Sequence, residues 1–188
     1  KFYACKIFTK NIPKEKIMIE AECIRKMGEL NVSPKLVKVL DHCIVMEMVN
    51  GIVLAEYIKQ DHIYDENIIL NLLEIANALI KSNIKYNDLN VMYNIMFDTD
   101  KNKLVLIDYG LLLTDEENQV YKDKGLTNED IVTICAFNII LEVEELYMFK
   151  MYGRKDKNKT PVLKGFIPTD EFPSILYYMD KNEKLLKL

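Results

Sequence analysis

The stretch YNDLNVMYNIMFDTDKNKLVLIDYG, residues 86–110, decides how this chain is read. Its second half has the form of a hairpin: a short strand NIMF (94–97), a turn DTDKNK (98–103) and a second strand LVLI (104–107). The second strand is apolar and reads as buried, yet it runs straight into Asp108. A buried carboxylate is costly unless a cation pairs with it or a metal is coordinated. Asn94 opens the partner strand, so the pairing predicts Asn94 and Asp108 at one edge of the hairpin. An amide carbonyl and a carboxylate are both hard oxygen ligands suited to Mg²⁺. Asp88 lies in a polar loop (84–93) held between a long helix and the hairpin. Near such a metal it could accept a proton from a hydroxyl nucleophile. Taken singly, each acid also suits an Asx-turn or a helix cap.

Upstream, FYACKIF (2–8) reads as a strand with Lys6 inside it. A helix is predicted over 15–30, with Ile17, Ala21, Ile24 and Gly28 as its inner stripe. Glu20 falls within that stripe. An acid on a buried face needs a cation, and Lys6 is the nearest candidate; at the stripe's edge Glu20 would reach solvent instead. Ser33-Pro34 breaks the helix. KLVKVLDH and CIVMEM (35–48) predict two strands around a tight turn near Asp41-His42. Val49–Gly51 reads as a connector with a turn glycine. A short helix over 53–60 follows, then a long one over 65–82 with Ile68, Leu72, Ile75, Ala76, Leu79 and Ile80 on its apolar face.

Downstream, residues 110–126 are acidic and read as irregular. TNED (127–130) is a capping signature ahead of an apolar helix over 130–146. A basic, solvated loop (153–160) and a final amphipathic helix (170–187) close the chain. Strands mixed with one helix precede a mainly helical remainder. The expected fold is α+β with two lobes: a small sheet-bearing lobe over 1–48, a hinge over 49–51 and a helical lobe over 52–188.

The bulk numbers suit one such domain. The chain has 188 residues, 49% of them hydrophobic and 29% charged, and a formal net charge of −4. That charge supplies no basic field for nucleic acid or anionic lipid, and no apolar run approaches the roughly 20 residues that span a bilayer. Cys5, Cys23, Cys43 and Cys135 have no metal-ligand or C-x-x-C spacing and read as reduced core residues of a cytosolic protein. His42 and His62 lie near turns and suggest no metal site. The chain starts on Lys1 inside a predicted strand, so a segment upstream is expected to have been lost or trimmed.

Laid in order, these features resemble a protein kinase. ACKIF resembles the strand bearing the phosphate-binding lysine, which would be Lys6. IEAECIRKMGELNVSPKLVKVL resembles the next helix and strand, with Glu20 as the acid that pairs with that lysine. CIVMEMVNG resembles the strand and hinge between lobes; Met46 would be the gatekeeper, and Glu47 and Met48 would lie in the hinge that binds adenine. YNDLNVMYN resembles the catalytic loop, with Asp88 as base and Asn94 as metal ligand. IDYG resembles the Asp-Phe-Gly motif, with Asp108 holding Mg²⁺. NEDIVTICAFNIILE resembles the central helix of the large lobe, with Asp130 at its buried acid. The closest similarity is to small atypical kinases: the RIO family, the KEOPS-complex kinase, and minimal effector or viral kinases.

The resemblance implies a phosphotransferase using ATP and Mg²⁺ on protein Ser/Thr, with a protein substrate or regulatory partner. It implies a cytoplasmic protein, in the host cytoplasm for a viral or secreted effector. Several positions depart from the pattern. No glycine-rich loop is visible. Tyr86-Asn87 stands where His-Arg is usual, removing the cation that orders a phosphorylated activation segment. Asp88 and Asn94 are one residue further apart than usual, which makes Asn90 the alternative to Asn94 as second metal ligand, and Asn90 also stands where a lysine is usual. These departures leave two other readings open: a kinase-like binding module, and a small-molecule phosphotransferase of the aminoglycoside or choline kinase type.

Overall fold

The computed structural model describes residues 2–60, 66–88 and 90–152. Strand β1 (Tyr3–Ile7) alternates exposed and half-buried side chains, which turns Lys6 toward the interior. Helix α1 (Lys14–Glu29) buries the predicted stripe of Ile17, Ala21, Ile24 and Gly28, with Glu20 among them. It ends earlier than Ser33-Pro34, because Asn31 takes a left-handed conformation (φ 60°). The Val32 N–H then returns to the Met27 carbonyl and closes the helix end. Strands β2 (Leu36–Leu40) and β3 (Cys43–Glu47) form the expected hairpin, and all three strands make one antiparallel sheet in the order β1-β3-β2.

The connector is more structured than its sequence suggests. Gly51 is no turn residue; it opens strand β4 (Gly51–Val53), which pairs with a later strand. A Cβ at position 51 would run into the Phe97 carbonyl oxygen, so only glycine permits that approach. Helices α2 (Leu54–Lys59) and α3 (Glu66–Lys81) follow. The polar loop is interrupted by one helical turn, α4 (Val91–Asn94). Asn94 therefore closes a helix, and the strand begins one residue later: β5 (Ile95–Asp98) pairs with β6 (Lys103–Leu106). A second antiparallel sheet results, in the order β4-β5-β6.

Helix α3 is buried on more sides than a single stripe, since Ile69 and Leu73 are also inside. It packs against β6 and against α6 (Asn128–Tyr152). The buried Asn71 of α3 accepts the Leu104 N–H and donates to the Asn67 carbonyl, so neither end of its amide is left unpaired. Two expectations fail downstream. Residues 115–123 are helical (α5, Asp115–Asp123), started by a capping box of Thr114 and Glu117. Asp130 is exposed: its carboxylate accepts from the Thr127 N–H and hydroxyl at the start of α6. A local partner satisfies it, so it has no reason to enter the core. Among the cysteines, Cys23 and Cys135 are buried, but Cys5 is exposed on the outer sheet face, because β1 turns Lys6 inward. The predicted loop 153–160 and helix 170–187 lie outside the described residues.

The hydrophobic core runs continuously from α1 and β3 to α3 and α6. The Leu106 N–H bonds the Val32 carbonyl at 2.9 Å. That bond lays β6 beside the loop after α1 and delivers the residues after β6 to the face of α1 that carries Glu20.

Candidate active site

Three elements converge on one ammonium group. Lys6 Nζ donates to Glu20 Oε1 at 2.5 Å and to Asp108 Oδ1 at 2.7 Å. Lys6 comes from the inner face of β1, Glu20 from the buried stripe of α1, and Asp108 from the end of β6. Glu20 is only 3% exposed, so solvent does not satisfy it; Lys6 does, with the Tyr109 main chain. The acid at the end of a buried strand thus meets the cation that the acid in the buried helix face also requires.

The electrostatics follow from this crowding. Burial alone would lower the Lys6 pKa, but its bonds to Asp108 and Glu20 outweigh that and raise it. Glu20 is raised as well, chiefly by burial, with Lys6 opposing and the Asp108 charge adding to the rise. One cation between two carboxylates leaves the cluster with a formal charge of −1, a setting that favours a further cation. Asp108 Oδ1 also accepts the Gly110 N–H at 2.8 Å. A Cβ at Gly110 would stand 3.1 Å from that same oxygen and 3.6 Å from Lys6 Nζ. Gly110 does not have a left-handed φ, so its value here is space beside the ion cluster, not freedom to turn.

The remaining predicted residues fall into two groups. Asn94 is buried and donates to the Tyr86 hydroxyl at 2.9 Å, which orients its amide. The Ile107 N–H bonds the Asn94 carbonyl at 2.8 Å, so Asn94 and Asp108 lie at the same end of the β5–β6 pair. Tyr86 meets Tyr109 edge-to-face, with ring centroids 6.2 Å apart. Both tyrosines are buried, and burial raises both phenols. These rings link the Asp88 loop to the Asp108 turn. Sequence reasoning passed over that role; the available signal was two tyrosines, each two residues or fewer from a key acid, whose hydroxyls need partners if buried. Asp88 is half-buried and forms an Asx-turn, accepting the Asn90 N–H at 2.8 Å. Asn90 itself is exposed at the start of α4.

Met46 is buried on the same sheet face as Lys6, since Lys6 pairs with Ile44 and Ala4 with Met46. Glu47 ends β3 and its N–H bonds the Lys35 carbonyl. Met48 is 59% exposed in the segment between the two sheets. No group of three or more His, Cys, Asp or Glu side chains among the described residues is arranged to hold a metal. Asp108 with Asn94 is a smaller donor set. It suits Mg²⁺, which commonly takes one or two protein ligands and completes its shell with phosphate and water.

A lysine joined to a helix acid and to the acid of an Asp-Tyr-Gly turn, on this α+β framework, defines a protein-kinase-like domain. A family model for the RIO domain matches residues 2–138, and the chain belongs to that family. It is also 38% identical over 74 residues to the "Probable serine/threonine-protein kinase fnkB" of Dictyostelium discoideum, across 36% of this chain. The chain spans 13% of that relative's length.

Proposed function

We propose that the domain transfers the γ-phosphoryl group of ATP, with Mg²⁺, to a serine or threonine hydroxyl of a protein. The observation that carries this is the double engagement of Lys6 by Glu20 and Asp108. Lys6 would bind the α- and β-phosphates, held in place by Glu20. Asp108 and Asn94 would hold Mg²⁺, which neutralises charge on the phosphates. Asp88 would orient the acceptor hydroxyl and take its proton. Met46, Glu47 and Met48 would border the adenine. Catalysis on this plan is positioning plus charge neutralisation. The RIO-family match and the kinase-named relative support the reading. A reducing, cytoplasmic compartment is part of this reading.

A kinase-like module that binds without transferring phosphate is the second reading. It is favoured by Asn90 in place of a lysine and by the Asx-turn that engages Asp88. One experiment separates the two. Incubation with labelled ATP, Mg²⁺ and generic protein substrates should give label transfer by the wild type and at least a hundredfold less, as an order of magnitude, by Asp88→Asn and Asp108→Asn. Equal transfer by all three would remove the assignment. ATP binding without transfer would establish the second reading.

A further inference from the structure

The geometry points to Asn87 and Glu117 as positioning residues, which latch the Asp88 loop to α5 without any phosphorylated group. Two short segments run side by side here. Tyr86 bridges Leu112 in antiparallel fashion. The Asn87 N–H bonds the Leu111 carbonyl at 3.1 Å, and the Leu113 N–H bonds the Lys85 carbonyl at 2.8 Å. With the Tyr86 side chain buried in the core, the residues on either side of it reach outward to α5. Lys85 Nζ donates to Asn118 Oδ1 at 2.7 Å. Asn87 Nδ2 donates to Glu117 at 3.3 Å and 3.2 Å, to Oε1 and Oε2 respectively.

Glu117 has a second duty. Its Oε2 accepts the Thr114 N–H at 2.9 Å, while its own N–H bonds Thr114 Oγ1 at 3.2 Å. The carboxylate that starts α5 is therefore the one that catches the residue before Asp88. No α5 side chain is fully buried, so beside its contact with α6 these polar bonds hold the helix. An arginine before the acid would have waited for a phosphate to bind. The amide of Asn87 instead pairs with a carboxylate of the chain itself, so the segment after Asp108 is tied to the Asp88 loop without a phosphate.

The latch is a property of the fold. Its consequence for turnover rests on the phosphotransferase reading, with Asp88 as base. Amide hydrogen exchange on the full chain tests the first. Asn87→Ala should speed exchange of the residue-87 and Leu113 amides about fivefold, the scale of one lost net hydrogen bond. Asn87→Asp, which sets like charges together, should do more. Glu117→Gln, which keeps an acceptor oxygen, should stay within about twofold of wild type. Thr114→Ala is the control for a mere helix cap: it should loosen the start of α5 more than residue 87. Unchanged exchange in Asn87→Ala, or an equal rise at residue 87 in Thr114→Ala, overturns the latch. Phosphate transfer tests the second. Asn87→Ala should lower kcat with the nucleotide Kd unchanged, because Lys6 and Asp108 are untouched; a looser loop with unaltered kcat overturns the positioning role. A wild type that transfers nothing ends the phosphotransferase reading, and the exchange data still decide the latch.

Discussion

One polar cluster is made of residues proposed to hold the nucleotide and metal, another adjoins Asp88, and the two are built on opposite principles. The Lys6–Glu20–Asp108 cluster joins groups 14 and 102 residues apart in sequence, and one of its acids is 4% exposed at the side chain. The Asn87–Glu117–Thr114 cluster lies on the surface and is knit from neighbouring turns. The first holds the Glu20 carboxylate away from water, while Lys6 and Asp108 keep about a third of their side-chain surface exposed, so removing Lys6 strands Glu20 above all. The second exchanges bonds with solvent at little cost. The difference predicts that the first cluster governs global stability and its pH dependence, while the second governs local order.

The sharpest way to break the comparison is Lys6→Met. It leaves Glu20 charged and buried without its cation, with the Tyr109 main chain as its remaining bond, a loss of about 3–5 kcal/mol, or about 6–20 °C in Tm for a domain of this size. The loss should be pH-dependent. Burial already raises the Glu20 pKa, and without Lys6 it rises further. The folded carboxyl then binds a proton more readily than the unfolded one. Stability lost at neutral pH returns as pH falls through the raised folded value toward about 4.3. Thermal melts of wild type and Lys6→Met at pH 5 and at pH 8, as approximate settings on either side of that window, check this. A pH-independent gap would show that Glu20 is not the stranded group.

A smaller effect is expected in alkali. Lys6, Tyr86 and Tyr109 all have raised pKa values in the fold. For Lys6 the bonds to Asp108 and Glu20 exceed the opposing effect of burial; for the tyrosines burial is the first cause. Each group keeps its proton in the folded state after its unfolded counterpart has lost it. The stabilisation is complete below the unfolded values near about pH 10 and is lost as pH rises through the folded ones. Urea midpoints should therefore fall steeply above about pH 10, and less steeply in Lys6→Met. A flat profile would mean that these groups reach solvent.

The same contrast explains what could be read beforehand. Glu20 and Asp108 were legible because each breaks an apolar pattern at a place where breaking it is costly. Lys6 followed as the cation for Glu20 alone; that it also serves Asp108 could not be read, since that depends on β6 lying beside the loop after α1. Most strands and the longer helices followed from periodicity. The surface cluster was hidden for the opposite reason. Helix α5 buries no side chain, so it carries no apolar period, and Thr114-x-x-Glu117 was passed over in an acidic run. Helix α4 is one turn, too short for any period. Asp130 was misplaced because its position by resemblance outweighed Thr127 three residues before it, which captures the carboxylate at the surface. Gly51 looked like a turn because its real constraint, the Phe97 carbonyl, lies on a strand far along the chain.

The least disruptive test of the comparison is Thr114→Ala. The substitution removes the hydroxyl that accepts the Glu117 N–H, while the Thr114 backbone bond to the Glu117 carboxylate needs no side chain. An N-cap replaced by alanine costs about 1 kcal/mol. Because α5 lies on the surface and buries no side chain, it can fray without opening the core, so much of that cost should appear as local opening. The expected outcome is a Tm change of no more than about 2–4 °C, faster amide exchange in the first turn of α5, and the alkaline profile of the wild type. A global loss approaching that of Lys6→Met would mean that α5, despite its exposed surface, is part of what holds the two sheets together.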